Sequence, residues 1–203
     1  MSEKYSYSLS RELMELLDGE FPVPPLMEAY RKVLRESSHE QKEKIDEEIF
    51  GTFGLRLALR ILELEGKYRD RSAELIYWVA EQTDHPFCSV QQRLLEIGML
   101  AVMNENKWKY KEVSYKRLAY EVSKCVVYDA MREMLDKEIA DQVPCRHLCL
   151  RFLRGICEGT GIGGSMTLEM PSKISDKAGF CLFGIGYRFQ EKGKISRKSK
   201  MAR

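Results

Sequence analysis

The stretch Glu158–Phe189, EGTGIGGSMTLEMPSKISDKAGFCLFGIGYRF, decides the fold class, because the hydrophobic pattern changes here. Before it, apolar residues recur three and four apart, as on one face of a helix. Within it, EGTGIGG supplies the glycines of a turn, SMTLEM alternates apolar and polar residues, SKISDKAG is rich in turn formers, and FCLFGIGYRF returns as a second extended run. Two such runs joined by a turn predict an antiparallel hairpin. Period two puts Phe180, Leu182, Gly184 and Gly186 on one face and Cys181, Phe183, Ile185 and Tyr187 on the other. The second set is the more apolar, so Cys181 is expected to face the core.

Upstream the chain reads as helices. Ser10 can cap a short first helix carrying Leu13, Leu16 and Leu17, and the FPVPP run Phe21–Pro25 ends it, since proline lacks a backbone donor and restricts its neighbour. A second helix runs through Met27, Tyr30 and Val33. A long amphipathic stretch follows, with Ile45, Ile49, Phe50, Phe53, Leu57, Ile61 and Leu64 as its inward stripe. Gly51 and Gly54 interrupt that stripe, which marks either close approach of another helix or a bend beside a ligand. Further helices are expected from about Asp70 to Gln82, from Pro86 through Met103, and from Ser114 to roughly Gln142, the last burying Leu118, Val122 and Cys125. Pro144 then suits the first position of a new helix. The expected architecture is α+β: one domain over residues 1–190, with a mainly helical body and a C-terminal antiparallel β-hairpin or small sheet, and a basic tail over 191–203.

A chain of 203 residues, 44% hydrophobic, has enough apolar material for one sizeable core. Its net charge is +2, yet the last thirteen residues, EKGKISRKSKMAR, hold six basic groups against one Glu, leaving the rest of the chain near −3. The body is therefore not a general polyanion binder. The tail is either a frayed terminus or a patch for RNA, DNA or anionic lipid. No run approaches the roughly eighteen apolar residues of a membrane span, and MSEKYSYSLSREL lacks the pattern of a secretory signal. A cytoplasmic location is the expectation. There thiols stay reduced, and six cysteines read as metal ligands, reactive thiols or small buried groups rather than disulfides.

Three of the six fall in PCRHLCLRFLRGIC, Pro144–Cys157. On a helix Cys145 and Cys149 are neighbours on one face, their Cβ atoms about 5–6 Å apart, and two thiolates so placed can share a metal. Cys157 lies about 12 Å further along the axis and joins them only if the helix breaks at Gly155. Cys181 and Cys125, brought in by tertiary packing, would complete a four-thiolate site for zinc or iron. Cys145 would also sit in the first helical turn, where the helix dipole favours a thiolate and Arg146 and His147 stand close. This makes it the preferred reactive thiol, as nucleophile or ligand. A nucleophile needs a base, and His147 and His85 are the candidate imidazoles. The competing reading makes Cys125, Cys149, Cys157 and Cys181 inert apolar fillers. In TDHPFC, His85 and Cys88 have ligand-like spacing, while Asp84 caps the helix that Pro86 begins. GTGIGG follows a helix rather than a strand, so it does not fit a nucleotide loop, and neither G-x-S-x-G nor H-E-x-x-H occurs.

The C-terminal third, with Cys145 or Cys149 on a helix followed by an extended segment, a Gly-bearing turn and GFCLFGI from Gly179 to Ile185, resembles the closing hairpin of two related families. These are the 4-vinyl-reductase-like small-molecule-binding domains and the L-2-amino-thiazoline-4-carboxylic acid hydrolase-like proteins. The resemblance covers about sixty residues. It implies a ligand pocket between helices and sheet, with Cys181 and one or two helix cysteines at its edge as metal ligands or reactive groups.

Three functions follow as expectations. One is a sensor-like domain for a small-molecule ligand or metal, with Cys145, Cys149 and Cys181 as primary groups and Cys125 as a fourth. Another is a cysteine-dependent hydrolase of a small thiazoline or amide, with Cys145 as nucleophile and His147 as helper. The third is a scaffold or nucleic-acid accessory protein acting through the tail. Assembly as a homodimer is left open alongside each.

Overall fold

The computed structural model describes residues 9–37, 41–65, 67, 76, 78–79, 81–82, 88–143 and 145–188. The helices among them are α1 (Arg11–Glu20), α2 (Val23–Glu36), α3 (Lys42–Asp46), α4 (Thr52–Glu65), α5 (Cys88–Ala101), α6 (Val126–Met134), α7 (Lys137–Gln142) and α8 (Arg146–Gly159). The strands are β1 (Lys107–Val113), β2 (Arg117–Lys124), β3 (Met166–Ser172) and β4 (Cys181–Tyr187). The helix expected over Asp70–Gln82 falls largely outside the described residues. Asp84, His85, Pro86, Pro144 and the tail fall wholly outside them.

Ser10 caps α1, its Oγ accepting the Leu13 N–H at 3.2 Å. The FPVPP run separates two helices by being part of the second: Pro24 and Pro25 occupy the first turn of α2, where an amide N–H has no intrahelical acceptor to lose. A π-turn, Glu47–Gly51, joins α3 to α4. Leu57 and Ile61 of α4 are fully buried, each worth about 2 kcal/mol of transfer free energy. Of the pair Gly51 and Gly54, Gly54 marks close approach of a helix, since a Cβ there would overlap the Leu148 carbonyl of α8, whereas one on Gly51 would lie 3.3 Å from the Arg151 side chain; on α8 itself, a Cβ on Gly155 would lie 2.8 Å from the Ala58 Cβ. Small residues let α4 and α8 pack backbone to backbone as the most extensive helix pair.

One expectation is corrected. Ser114–Gln142 is not a single helix. The segment before and within it forms the hairpin β1–β2, and only then come α6 and α7. Leu118 and Val122 fit a helical face at four-residue spacing, but Leu118, Tyr120 and Val122 fit a strand face equally well. Aromatic and β-branched residues pack well on a pleated surface, and the Ser114 hydroxyl closes the turn by accepting the N–H groups of Lys116 at 3.3 Å and Arg117 at 3.0 Å.

The expected C-terminal hairpin is present as β3–β4, and it forms half of a four-stranded antiparallel sheet of order β1-β2-β4-β3. Strand β4 pairs with β2 through Leu118↔Ile185, Tyr120↔Phe183 and Val122↔Cys181. These six residues are buried against the helices, and the Tyr120 and Phe183 rings stack at 5.0 Å. The opposite face carries ion pairs: Glu121 with Lys109 at 2.7 Å and Lys111 at 3.3 Å, and Arg117 with Glu169 at 3.3 Å. The molecule is thus α+β, with a helical layer on one face of a sheet. No helix among the described residues is long and apolar enough to cross a membrane.

Candidate functional site

Four cysteines line one small cavity between sheet and helices. They arrive from three separated stretches of chain. Cys125 stands at the junction of β2 and α6, in extended conformation at the N-cap of α6. Cys145 occupies the N-cap of α8, one position ahead of the first helical turn, and Cys149 follows one turn along. Cys181 opens β4 on its inward face, as period two requires. Helix α8 runs unbroken through Gly155, so Cys157 is carried into the core and does not reach the cavity.

The cavity measures about 20 Å³, enough for one water-sized particle and far below the several hundred Å³ of a typical organic ligand site. Besides the four cysteines, its wall holds Met99, Met103 and Met170, so sulfur-bearing residues make up seven of the twelve that line it. Asn106, Tyr120 and Arg146 bring the polar groups. Asn106 is engaged structurally, its Oδ1 accepting the Val126 N–H at 2.8 Å and so capping α6 beside Cys125. No His, Asp or Glu is on the wall.

Burial governs the thiols. It pushes all four above the ordinary cysteine value, and at Cys149 the neighbouring Cys125, Cys145 and Cys181 add like-charge repulsion. Opposing groups are in place. The Ile174 N–H donates to the Cys181 sulfur at 3.2 Å and, against the burial, leaves that thiol raised only to about 11. The N–H groups of Tyr128 and Val127 lower Cys125 part of the way back without forming a capping hydrogen bond. Lys173 does the same for Cys145 and Cys181. Two helix N-termini, those of α6 and α8, therefore face a set of neutral thiols that would carry negative charge once deprotonated.

The expectation of an activated Cys145 is thus corrected in its electrostatics: desolvation outweighs the helix terminus, and the resting group is a thiol. His147 is not on the cavity wall, and its Nε2 is buried without a hydrogen-bond partner. Among the described residues, no three His, Cys, Asp or Glu side chains stand close enough to hold an ion together. The thiols line the cavity without being drawn onto one point. Cys88 opens α5, and His85, which has ligand-like spacing to it, lies with the expected cap Asp84 outside the described residues. A larger surface groove of about 500 Å³ lies between the Phe21–Pro22 turn and α4, lined by Glu20, Glu48, Phe53 and Arg56 among others, and holds no cysteine.

The methionines were not legible as site residues. Met99 lies in the last turn of α5 and Met103 two residues beyond its end, four apart, and Met170 shares its face of β3 with Leu168, which is also how core residues are spaced. A bulge between Glu169 and Ser172 accompanies Met170, next to a proline that cannot donate to the ladder.

No family model matches this chain, and neither a curated protein nor a solved structure does so.

Proposed function

We propose that this chain binds one thiophilic metal ion in the cysteine-lined cavity and acts as a sensor-like domain, the ion joining the sheet to the helical layer. The observation that supports this is the convergence of Cys125, Cys145, Cys149 and Cys181 on one cavity of single-ion size. Thiolates are the ligands zinc and iron centres use, and the site has what compensates their charge: two helix N-termini, Lys173, and the Ile174 N–H. Cys125, Cys145, Cys149 and Cys181 would hold the ion as thiolates, so binding would release their protons. Because ligands come from the β2–α6 junction, α8 and β4, occupancy couples three parts of the fold and stabilises it by linkage.

A cysteine hydrolase fits these residues less well. It needs room for an organic substrate, a thiolate and a base in reach, whereas the cavity is small, Cys145 is held as a thiol by burial, and His147 is off the wall.

The test is metal analysis of protein purified without chelator. Zinc, iron or copper near one equivalent is expected, lost in the Cys145→Ser, Cys149→Ser double variant and kept in Cys157→Ser. Absence of metal from the parent protein after anaerobic reconstitution, or retention by the double variant, refutes the proposal.

A further inference from the structure

The four cysteines do not account for the wall of the cavity. Met99 and Met103, both buried, and Met170, half-buried on the edge strand β3, line the same 20 Å³ space. Zinc takes thiolate, imidazole and carboxylate ligands, and a thioether adds nothing to a zinc shell. A soft monovalent d¹⁰ ion is held by thiolate and thioether alike. The ligand count points the same way. Among the described residues no three of the cysteines stand together in coordination geometry, as a tetrahedral four-thiolate site would need, so an ion satisfied by fewer thiolates and completed by methionine sulfur suits the wall better. Among the described residues no His, Asp or Glu lines the cavity, and of its oxygen-bearing residues Asn106 already spends its Oδ1 on the Val126 N–H.

From these observations we infer that the ion is copper(I), held by a subset of Cys125, Cys145, Cys149 and Cys181 together with thioether sulfur from Met99, Met103 or Met170. The inference rests on the thiophilic-metal reading above and names its ion. The methionines set selectivity. They add affinity for copper(I) and none for zinc. Tyr120 and Phe183, stacked at 5.0 Å, form the apolar floor that closes the cavity on the sheet side.

The experiment uses the full reduced chain under anaerobic conditions. Copper(I) is titrated against a chromogenic copper(I) chelator and zinc(II) against a chromogenic zinc chelator, in the parent and in Met99→Leu, Met103→Leu and Met170→Leu, singly and combined. Leucine keeps the volume and removes the sulfur, and the half-buried Met170 position keeps the test open if the combined variant does not fold. Copper(I) affinity is expected to fall by about tenfold or more in the combined variant while zinc affinity stays within about twofold. Equal copper(I) affinity in parent and folded Leu variants overturns the inference while leaving the thiol site standing, as does zinc bound more tightly than copper(I). Failure of the parent to bind either ion overturns the thiol site itself.

Discussion

The backbone N–H of Ile174 donates to the sulfur of Cys181 across 3.2 Å, so the β3–β4 turn and the cysteine that follows it form one unit. The turn is built locally: the Lys173 N–H donates to Asp176 Oδ2 at 2.9 Å, the Gly179 N–H donates to the Asp176 carbonyl at 2.9 Å, and Gly179 takes φ +69°, a conformation that L side chains rarely adopt. Its geometry therefore sets where the Cys181 sulfur points. Gly179→Ala is expected to cost about 1–2 kcal/mol from the left-handed backbone and to weaken metal binding, although no ligand is touched. Urea unfolding of the metal-free protein and a metal titration measure the two effects. Unchanged metal affinity in a destabilised variant would show that the turn does not position the sulfur.

Thiol reactivity separates a metal site from a nucleophile. In metal-free, reduced protein the burial that raises Cys145, Cys149 and Cys181 should make alkylation by iodoacetamide slow at neutral pH, well below the rate of the unfolded chain. Labelling should accelerate as pH rises, with Cys181 reaching half-deprotonation near about 11. Mass spectrometry of tryptic peptides assigns the site. A single cysteine labelled at neutral pH faster than the unfolded protein would favour the hydrolase reading.

The backbone contact at Gly54 is a packing claim with a direct check. Gly54→Ala places a methyl group on the Leu148 carbonyl, and the helices must separate, at an expected cost of about 1–3 kcal/mol despite alanine's better helix propensity. Gly19→Ala, with open space around its Cβ, is the control and should be neutral or mildly stabilising. Chemical denaturation of both variants decides. Equal stabilities would mean that α4 and α8 do not meet as closely as described.

On the outer face of the sheet, Lys109 and then Lys111 hold Glu121 below the usual carboxylate value. The folded state therefore binds fewer protons than the unfolded state in this range. The stabilisation is present above the unfolded carboxylate pKa and is lost as pH falls from about 5 through the lower folded value. Glu121→Gln should lower the urea midpoint at neutral pH, and the gap from the parent should close on acidification. A gap that stays constant with pH would show that the ion pairs contribute nothing beyond the hydrogen bonds glutamine can replace.

The sequence made some of this readable and hid the rest for physical reasons. Cys181 could be placed inward because a strand alternates faces, and Cys145 with Cys149 could be paired because four residues bring two side chains to one helix face. The β1–β2 hairpin was hidden because Leu118 and Val122 satisfy both periods, and the deciding features, the Ser114 turn and pairing with β4, are local chemistry and a partner some sixty residues away. Spacing from Leu118 and Val122 puts Cys125 on a helix face, whereas it stands at a strand–helix junction and reaches the same cavity from there. The methionines were invisible for a different cause. A thioether at a core spacing is indistinguishable from packing until the fold shows which sulfurs share a space.

X-ray absorption at the metal edge of the loaded protein tests the central claim most directly. The account predicts a first shell made of sulfur alone, at about 2.3 Å, collapsing when Cys145 and Cys149 are both replaced by serine. A shell of nitrogen or oxygen, or a sulfur shell unchanged in that variant, would contradict it.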